Sequence, residues 1–229
     1  MTEQTDDPGQ LHPIPIGSRI IIPAGPSFDA VRRALAAIDA VHGDGDLPAI
    51  PVVRTRATTE AGAYEWSGRT GDALRLRFSG VVDRPELTVV HEIRHFLDHQ
   101  ALGRPGTFAS ESGAIQHVME AIRQSDASES LRALRQRRFR SFQESHRRVH
   151  VPIDQRFVEN YLLSREQFAR AYAQFIVQMS RTPELIAQLT RVRSSQLGMV
   201  YHSQWTDEDF EPIRVALERL LWRRRWMKS

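Results

Sequence analysis

Leu87-Thr88-Val89-Val90-His91-Glu92-Ile93-Arg94-His95-Phe96-Leu97-Asp98 decides how the chain is read. Val89 and Val90 before the histidines and Phe96 and Leu97 after them have the composition of a buried helix. Pro85 stands just ahead, and the pattern predicts a helix over Glu86 to Ala101. On such a helix residues four apart lie about one turn above each other, so the imidazoles of His91 and His95 project from one face and can share one tetrahedral ion. Glu92 lies beside them without competing as a ligand. From there it can hold a water and take its proton, zinc lowering the pKa of such a water toward about 7. Asp98 lies one turn beyond His95, but about 10 Å of helix rise separates it from His91, which argues against joint ligation. Its expected role is a hydrogen bond that orients a ligand or a helix end. His99 points off this face and is expected to be exposed. His117, His146, His150 and His202 have no paired spacing and read as surface or capping residues.

A third ligand has to come from elsewhere. The chain has no cysteine among its 229 residues, which excludes a disulfide framework, a thiol nucleophile and thiolate-bound zinc. A histidine six residues after His95 would complete a metzincin pattern, but that position is Ala101. The remaining choices are a distant His, Asp or Glu. Glu166 offers one: it opens a helix predicted over Ser164 to Ser180, with the small residues Ala169 and Ala173 on its side to let that helix come close. Spacing alone equally allows Glu166 to be a first-turn glutamate that complements the helix dipole.

Outward from these segments, the chain reads as one domain over 18–229, preceded by a flexible arm over 1–17 that carries Pro8, Pro13 and Pro15. Arg19 to Pro23 is expected as a short strand, and Ser27 as the cap of a helix over Phe28 to Val41 that Gly43 and Gly45 end. Val52, Val53 and Thr55 suggest a strand. Ala73 to Phe78 alternates Leu74, Leu76 and Phe78 with Arg75 and Arg77, the pattern of a half-exposed strand at a sheet edge. Beyond Pro85 further helices are expected over Ser110 to Gln124, Ser128 to Val149, Pro183 to Val192 and Asp207 to Met227, with 110–150 forming a helical insertion. The fold class is therefore α+β: a small N-terminal mixed sheet, then a predominantly helical C-terminal half.

Charge and composition narrow the function. Lys plus Arg number 31 against 28 Asp plus Glu, a net +3, and Lys228 is the only lysine. Arg132 to Arg148 holds seven arginines and one acid, Glu144, and reads as a basic amphipathic helix; Arg223-Arg224-Arg225 sits between Trp222 and Trp226. Neither run has the motif context of a nucleic-acid binder, and no nucleic-acid partner is expected. The longest apolar runs fall far short of the roughly 18 residues of a membrane span. Glu3, Asp6 and Asp7 with no basic leader segment argue against a secretory signal, so synthesis in the cytoplasm is expected, with export by a dedicated system compatible with it.

His91 to Asp98, followed by Glu166-Gln167-Phe168-Ala169-Arg170-Ala171-Tyr172, resembles the zinc metallopeptidases of the anthrax lethal factor type. These are gluzincins that pair HExxHxxD with a downstream E-x-F-A-x-A-aromatic helix, and similar segments occur in peptidase-like proteins of phage and polymorphic-toxin systems. The resemblance covers mainly Leu87 to Leu102 and Ser164 to Phe175. It implies a zincin-like fold and one zinc per chain held by His91, His95 and Glu166, with Glu92 as the catalytic base. It also implies a tyrosine that stabilises the oxyanion: Tyr161 is the nearest match, at an offset that differs from the family's, with Tyr201 and His202 as rivals. Arg94 departs from the small residue usual at its position and is expected to face solvent or a partner helix. The long stretch from His95 to Glu166 would be a specificity insertion or a lid.

The expected activity is that of a zinc metalloendopeptidase acting on a protein or peptide substrate, aligned by strand addition along Ala73 to Phe78 with Arg75 and Arg77 toward an acidic partner. Two other readings compete. One is a zinc-binding but non-hydrolytic structural protein, phage- or toxin-associated. The other is a basic interaction module dependent on Arg135, Arg137 and Arg138. No feature of the sequence bears on oligomeric state.

Overall fold

A computed structural model describes residues 13–43, 47–56, 60–144 and 147–228. Four strands form a mixed sheet: β1 (Ile20–Ile21), β2 (Ile50–Thr55), β3 (Gly62–Trp66) and β4 (Ala73–Ser79), in the spatial order β1-β2-β4-β3. β1, β2 and β4 run parallel, and β3 returns antiparallel to β4. The strand over Ala73 to Phe78 therefore lies inside the sheet, and the edge expected of it belongs to β3. Arg75 and Arg77 do not wait for a substrate: both ion-pair with Glu65, at 2.5 and 2.9 Å, and Arg77 also with Glu60 at 2.8 Å.

Three helices make the centre. α1 (Asp29–Val41) and α2 (Pro85–Gln100) pack together, and α2 lies against α7 (Ser164–Ser180). α2 begins with Pro85 in its first turn, where the missing N–H costs nothing. Glu86, buried at the same end, accepts from Arg33 Nε at 2.9 Å and from Gln188, whose Oε1 in turn accepts the Leu87 N–H at 3.0 Å. α7 occupies the bounds expected from sequence, and every residue from Gln167 to Val177 is buried. It stops where Arg181 takes a left-handed conformation ahead of Thr182-Pro183. Ser27 does not cap α1; it accepts from Arg54, and a 3-10 turn over Pro26–Phe28 precedes the helix.

The rest of the C-terminal half is helical, with one exception. α3 (Ala109–Ser112) and α4 (Gln116–Gln124) replace the single helix expected over Ser110 to Gln124, because Gly113 turns left-handed at φ 82° and breaks it. α5 (Asp126–Leu134) ends well short of Val149. A hairpin follows, β5 (Phe139–Glu144) paired antiparallel with β6 (Arg147–Pro152), so the helical insertion and the basic amphipathic helix are both corrected. The helical period of Leu131 and Leu134 lapses across Arg135 to Arg138, and β-branched Val149 and Val151 then favour a strand. α6 (Gln155–Tyr161), capped by Asp154, leads into α7; α8 (Pro183–Ser194), α9 (Gln196–Tyr201) and α10 (Asp207–Arg223) complete the chain.

Most buried apolar side chains join one core, from Ile16 to Trp226. A second, smaller cluster holds α5, α6 and α9 together through Leu131, Leu134, Ile153, Val158, Val200 and Tyr201. Of the expected N-terminal arm, residues 1–12 lie outside the described residues, whereas 13–17 are anchored: Ile16 is buried, and Asp39 accepts its N–H and that of Gly17. No helix among the described residues is long and apolar enough to cross a membrane.

Candidate metal centre

α2 and α7 bring three ligand-type side chains to one point. His95 Nε2 lies 3.1 Å from His91 Nε2, Glu166 Oε2 is 3.3 Å from His91 Nε2, and Glu166 Oε1 is 3.5 Å from His95 Nε2. A tetrahedral zinc bound at about 2.0–2.1 Å holds neighbouring ligand atoms about 3.3 Å apart, so the donor set has the right spacing without rearrangement. Two imidazole nitrogens and a carboxylate aimed at one another present lone pairs that a cation stabilises. Three ligand-type side chains beside a cleft could hold an ion and leave one tetrahedral position open. The small residues expected to let α7 approach, Ala169 and Ala173, are both buried.

Burial sets the electrostatics. It pushes the Glu92 carboxyl up to about 7, with His91 and the Tyr64 N–H pulling the other way and Glu166 and Glu60 adding to the rise. A carboxylate poised near neutrality suits a general base. For Glu166 burial also opposes ionisation, but its hydrogen bond with His91 and the pull of His91, His95 and Arg170 outweigh it and hold the carboxyl at about 2. His95 is driven well below its usual range, chiefly by burial and then by His91 and Arg94, which keeps the neutral imidazole that a metal requires.

Asp98 serves the site at one remove. It accepts from the backbone N–H and hydroxyl of Ser110 at 2.9 and 2.6 Å, fixing the turn that carries Phe108, and ion-pairs with Arg94 at 3.1 Å. Arg94 is fully buried and faces the partner helix. Its guanidinium sits 3.4 Å over the Phe168 ring, donates to the Arg165 carbonyl at 3.1 Å and lies 3.5 Å from His95 Nδ1. The large residue in place of a small one thus ties α2 to the residue preceding Glu166.

Edge strand β3 passes directly over Glu92. A Cβ on Gly62 would lie 2.9 Å from both Glu92 Cγ and Thr88 Cγ2, so glycine is what allows the approach. Ala61 pairs with Ser79 by a backbone hydrogen bond, so by alternation Gly62 and Tyr64 turn their backbone groups to the free edge, and Glu92 takes the Tyr64 N–H.

The cleft beside the triad is lined by Asn160, Tyr161 and Arg170 on the far side. Of the three oxyanion candidates, only Tyr161 lines it. The Tyr201 hydroxyl accepts the Asp154 N–H at 3.0 Å within the second core, and His202 pairs with Arg140. Sequence reading missed Asn160, Gly62 and Phe108, which carry no motif. It also misplaced His99, which is buried with Nδ1 2.8 Å from the Tyr64 hydroxyl and its ring packed against Phe108 at 4.7 Å. His117 is partly buried and His202 ends α9; the reading of His146 and of the His150 side chain falls outside the described residues.

Compared with known proteins, the chain matches no family model, no curated protein and no solved structure.

Proposed function

We propose that the chain is a zinc-dependent metalloendopeptidase, with His91, His95 and Glu166 holding one zinc and Glu92 acting as general base. The observation that carries the reading is the set of ligand-atom spacings of 3.1, 3.3 and 3.5 Å beside a buried carboxylate poised at about 7. The motif resemblance to gluzincins assigns the same four residues the same roles. When bound, zinc would polarise the substrate carbonyl and lower the pKa of the attacking water.

The chain's own residues do the rest. Glu92 takes a proton from water and, with the carboxyl raised by burial, is basic enough to accept it and acidic enough to pass it to the leaving amine. β3 turns the backbone groups of Gly62 and the carbonyl of Tyr64 to its open edge, the Tyr64 N–H being held by Glu92, so an extended peptide adds there as a further strand. Tyr161, from the opposite wall, donates its hydroxyl to the developing oxyanion. Because the substrate is expected to add to β3, the paired Arg75 and Arg77 do not face it.

Metal analysis tests the site directly. Wild type is expected to carry one zinc per chain, and His91→Ala and Glu166→Ala to lose it. Glu92→Gln is expected to keep the zinc and to lose roughly a thousandfold or more in cleavage rate, the usual scale for losing a general base. Full cleavage by Glu92→Gln would sink the mechanism. Zinc without cleavage of any protein substrate by wild type would favour a non-hydrolytic zinc protein.

A further inference from the structure

The two halves of the cleft differ in chemistry. On the His95 side a space of about 340 Å³ has an aromatic wall of Tyr64, Trp66 and Phe108. Trp66 packs edge-on to Phe108 with centroids 5.2 Å apart, yet 37% of it stays exposed. On the His91 side a space of about 270 Å³ has apolar flanks, Leu87, Ala173 and Val192, and its polar lining beyond the triad and Glu92 includes Arg84, Arg170 and Gln204.

Arg170 is 5% exposed. Its two terminal nitrogens donate to the carbonyls of Ser203 and Tyr161, each at 2.7 Å, but its Nε is buried with no partner among the described residues. Gln204 Oε1, lining the same space, is likewise buried and unpartnered. Leaving such groups unmade costs their full desolvation, so two in one cavity point to a ligand that completes them. A carboxylate does so: it accepts from Arg170 Nε and, with the Gln204 amide turned over, from its NH₂. Half-buried Arg84 adds a second guanidinium. Glu60, which also lines the cleft, is already engaged by Arg77 at 2.8 Å.

β3 gives the cleft a direction. It runs from Gly62, beside Glu92, to Trp66 in the aromatic half. An added strand is more stable antiparallel, which sets the N-terminal part of a bound peptide beside Trp66 and its C-terminal part beside Arg170.

We propose that the substrate is a peptide segment with a large aromatic side chain shortly before the cleaved bond and an acidic side chain directly after it. Trp66 and Phe108 receive the first, and Arg170, Gln204 and Arg84 the second. This rests on the peptidase reading and names the substrate class of that same site.

The test uses the full chain, zinc-loaded, with three synthetic peptides: one carrying Phe before and Glu after a single candidate bond, one with that Glu replaced by Lys, and one of reversed sequence. Binding of the same peptides to Glu92→Gln is measured in parallel. The first peptide is expected to be cleaved and bound at least roughly tenfold better than the other two, the scale on which a pocket built for hydrogen bonds rejects a side chain that cannot make them. Arg84→Gln is expected to narrow the Glu-over-Lys preference and Trp66→Ala to narrow the aromatic one, each to about threefold. These exposed or half-exposed positions keep the test open if variants of buried Arg170 fail to fold. Cleavage without these preferences, or with the reversed peptide favoured, overturns the inference and leaves the peptidase reading standing. Selective binding without cleavage supports the pocket and overturns the peptidase reading. Neither cleavage nor selective binding overturns both.

Discussion

The pair α2 and α7 and the flank formed by α5, the hairpin, α6 and α9, which lines the cleft through Asn160 and Tyr161, are built on opposite terms. The helix pair buries charge: Arg94 and Asp98 are wholly enclosed, and Glu86, Glu92, His95 and Arg170 are nearly so. Each has specific partners, so each fixes its neighbours' positions as well as contributing stability. The flank closes around a small apolar cluster and exposes its arginines at 135, 137 and 138. The contrast places His91, His95 and Glu166 on a charged frame and Asn160 and Tyr161 on a wall built over the small cluster and tied to that frame through Arg170, which donates to the Tyr161 carbonyl.

The largest effect is expected from breaking the charged frame. Asp98→Ala strands the Arg94 guanidinium in the interior, where burial already lowers its pKa to about 10 against the pull of Asp98. Removing one member of a buried pair costs about 3–5 kcal/mol. Ser110 loses its acceptor in the same step. Chemical unfolding of the metal-free protein measures the loss, and zinc affinity is expected to fall about 10- to 100-fold because Arg94 also abuts His95. A loss below about 1 kcal/mol would mean that the frame is not held by its charges.

A pH series probes the same frame from α1. His42 is wholly buried; its Nδ1 donates to the Gly43 carbonyl at 2.6 Å, its Nε2 accepts from the Tyr172 hydroxyl of α7 at 2.7 Å, and its ring stacks on Trp226. Burial, with a smaller push from Lys228, lowers its pKa from 6.5 to about 4 despite that carbonyl. Between these values the unfolded chain binds a proton that the folded chain refuses. The contribution of His42 is therefore full above about pH 6.5 and declines as the pH falls to about 4, by up to about 3 kcal/mol, while Glu92, raised to about 7, acts with the opposite sign over the same range. Urea unfolding across this range reads it, and His42→Gln is expected to remove the His42 part of the slope. An unchanged slope would remove His42 as the source.

The same contrast explains what could be read beforehand. α7 was legible to its ends because its apolar residues recur with helical period and Ser164 and Pro183 bracket it. His91 and His95 were legible as a pair because a shared ion demands their four-residue spacing, whereas Glu166 stood out only through the resemblance, its spacing alone equally allowing a first-turn glutamate. His99 and His42 were not: Tyr64 and Tyr172, which bury and bond them, lie 35 and 130 residues away. β3 offers five residues with only Tyr64 buried, too little alternation to register as a strand, and its place at the edge depends on which strand β4 meets. The hairpin was misread because Leu131, Leu134, Phe139 and Phe142 fit a helical stripe if the arginines between them are ignored. Tertiary context overrides such short periodicities.

Val158→Ala sharpens the comparison from the flank side. Val158 is fully buried on α6 within the second core, just ahead of Asn160 and Tyr161. Truncation is expected to cost about 2 kcal/mol, less than the charged pair, since only a small cavity is left. Zinc content is expected to stay at one per chain, while the KM for a cleaved peptide rises severalfold as that wall loosens. Loss of zinc would show that frame and flank are one unit.

The smallest effect belongs to the exposed arginines, and it separates two kinds of basic residue in one stretch. Arg140 is partly buried; it donates to the Val200 carbonyl and reaches His202, and burial and Arg137 lower its pKa. Arg135, Arg137 and Arg138 are exposed on the approach to β5. Changing all three to Gln is expected to move stability by no more than about 0.5 kcal/mol, as for surface positions generally. Zinc content and kcat should stay at wild-type levels, since none of the three lines the cleft. Arg140→Gln should cost more than the triple change, because it leaves a carbonyl and a half-buried imidazole without their donor. If neutralising the three exposed arginines instead abolished zinc binding or cleavage, the basic stretch would be part of the site and the division between frame and flank would fail.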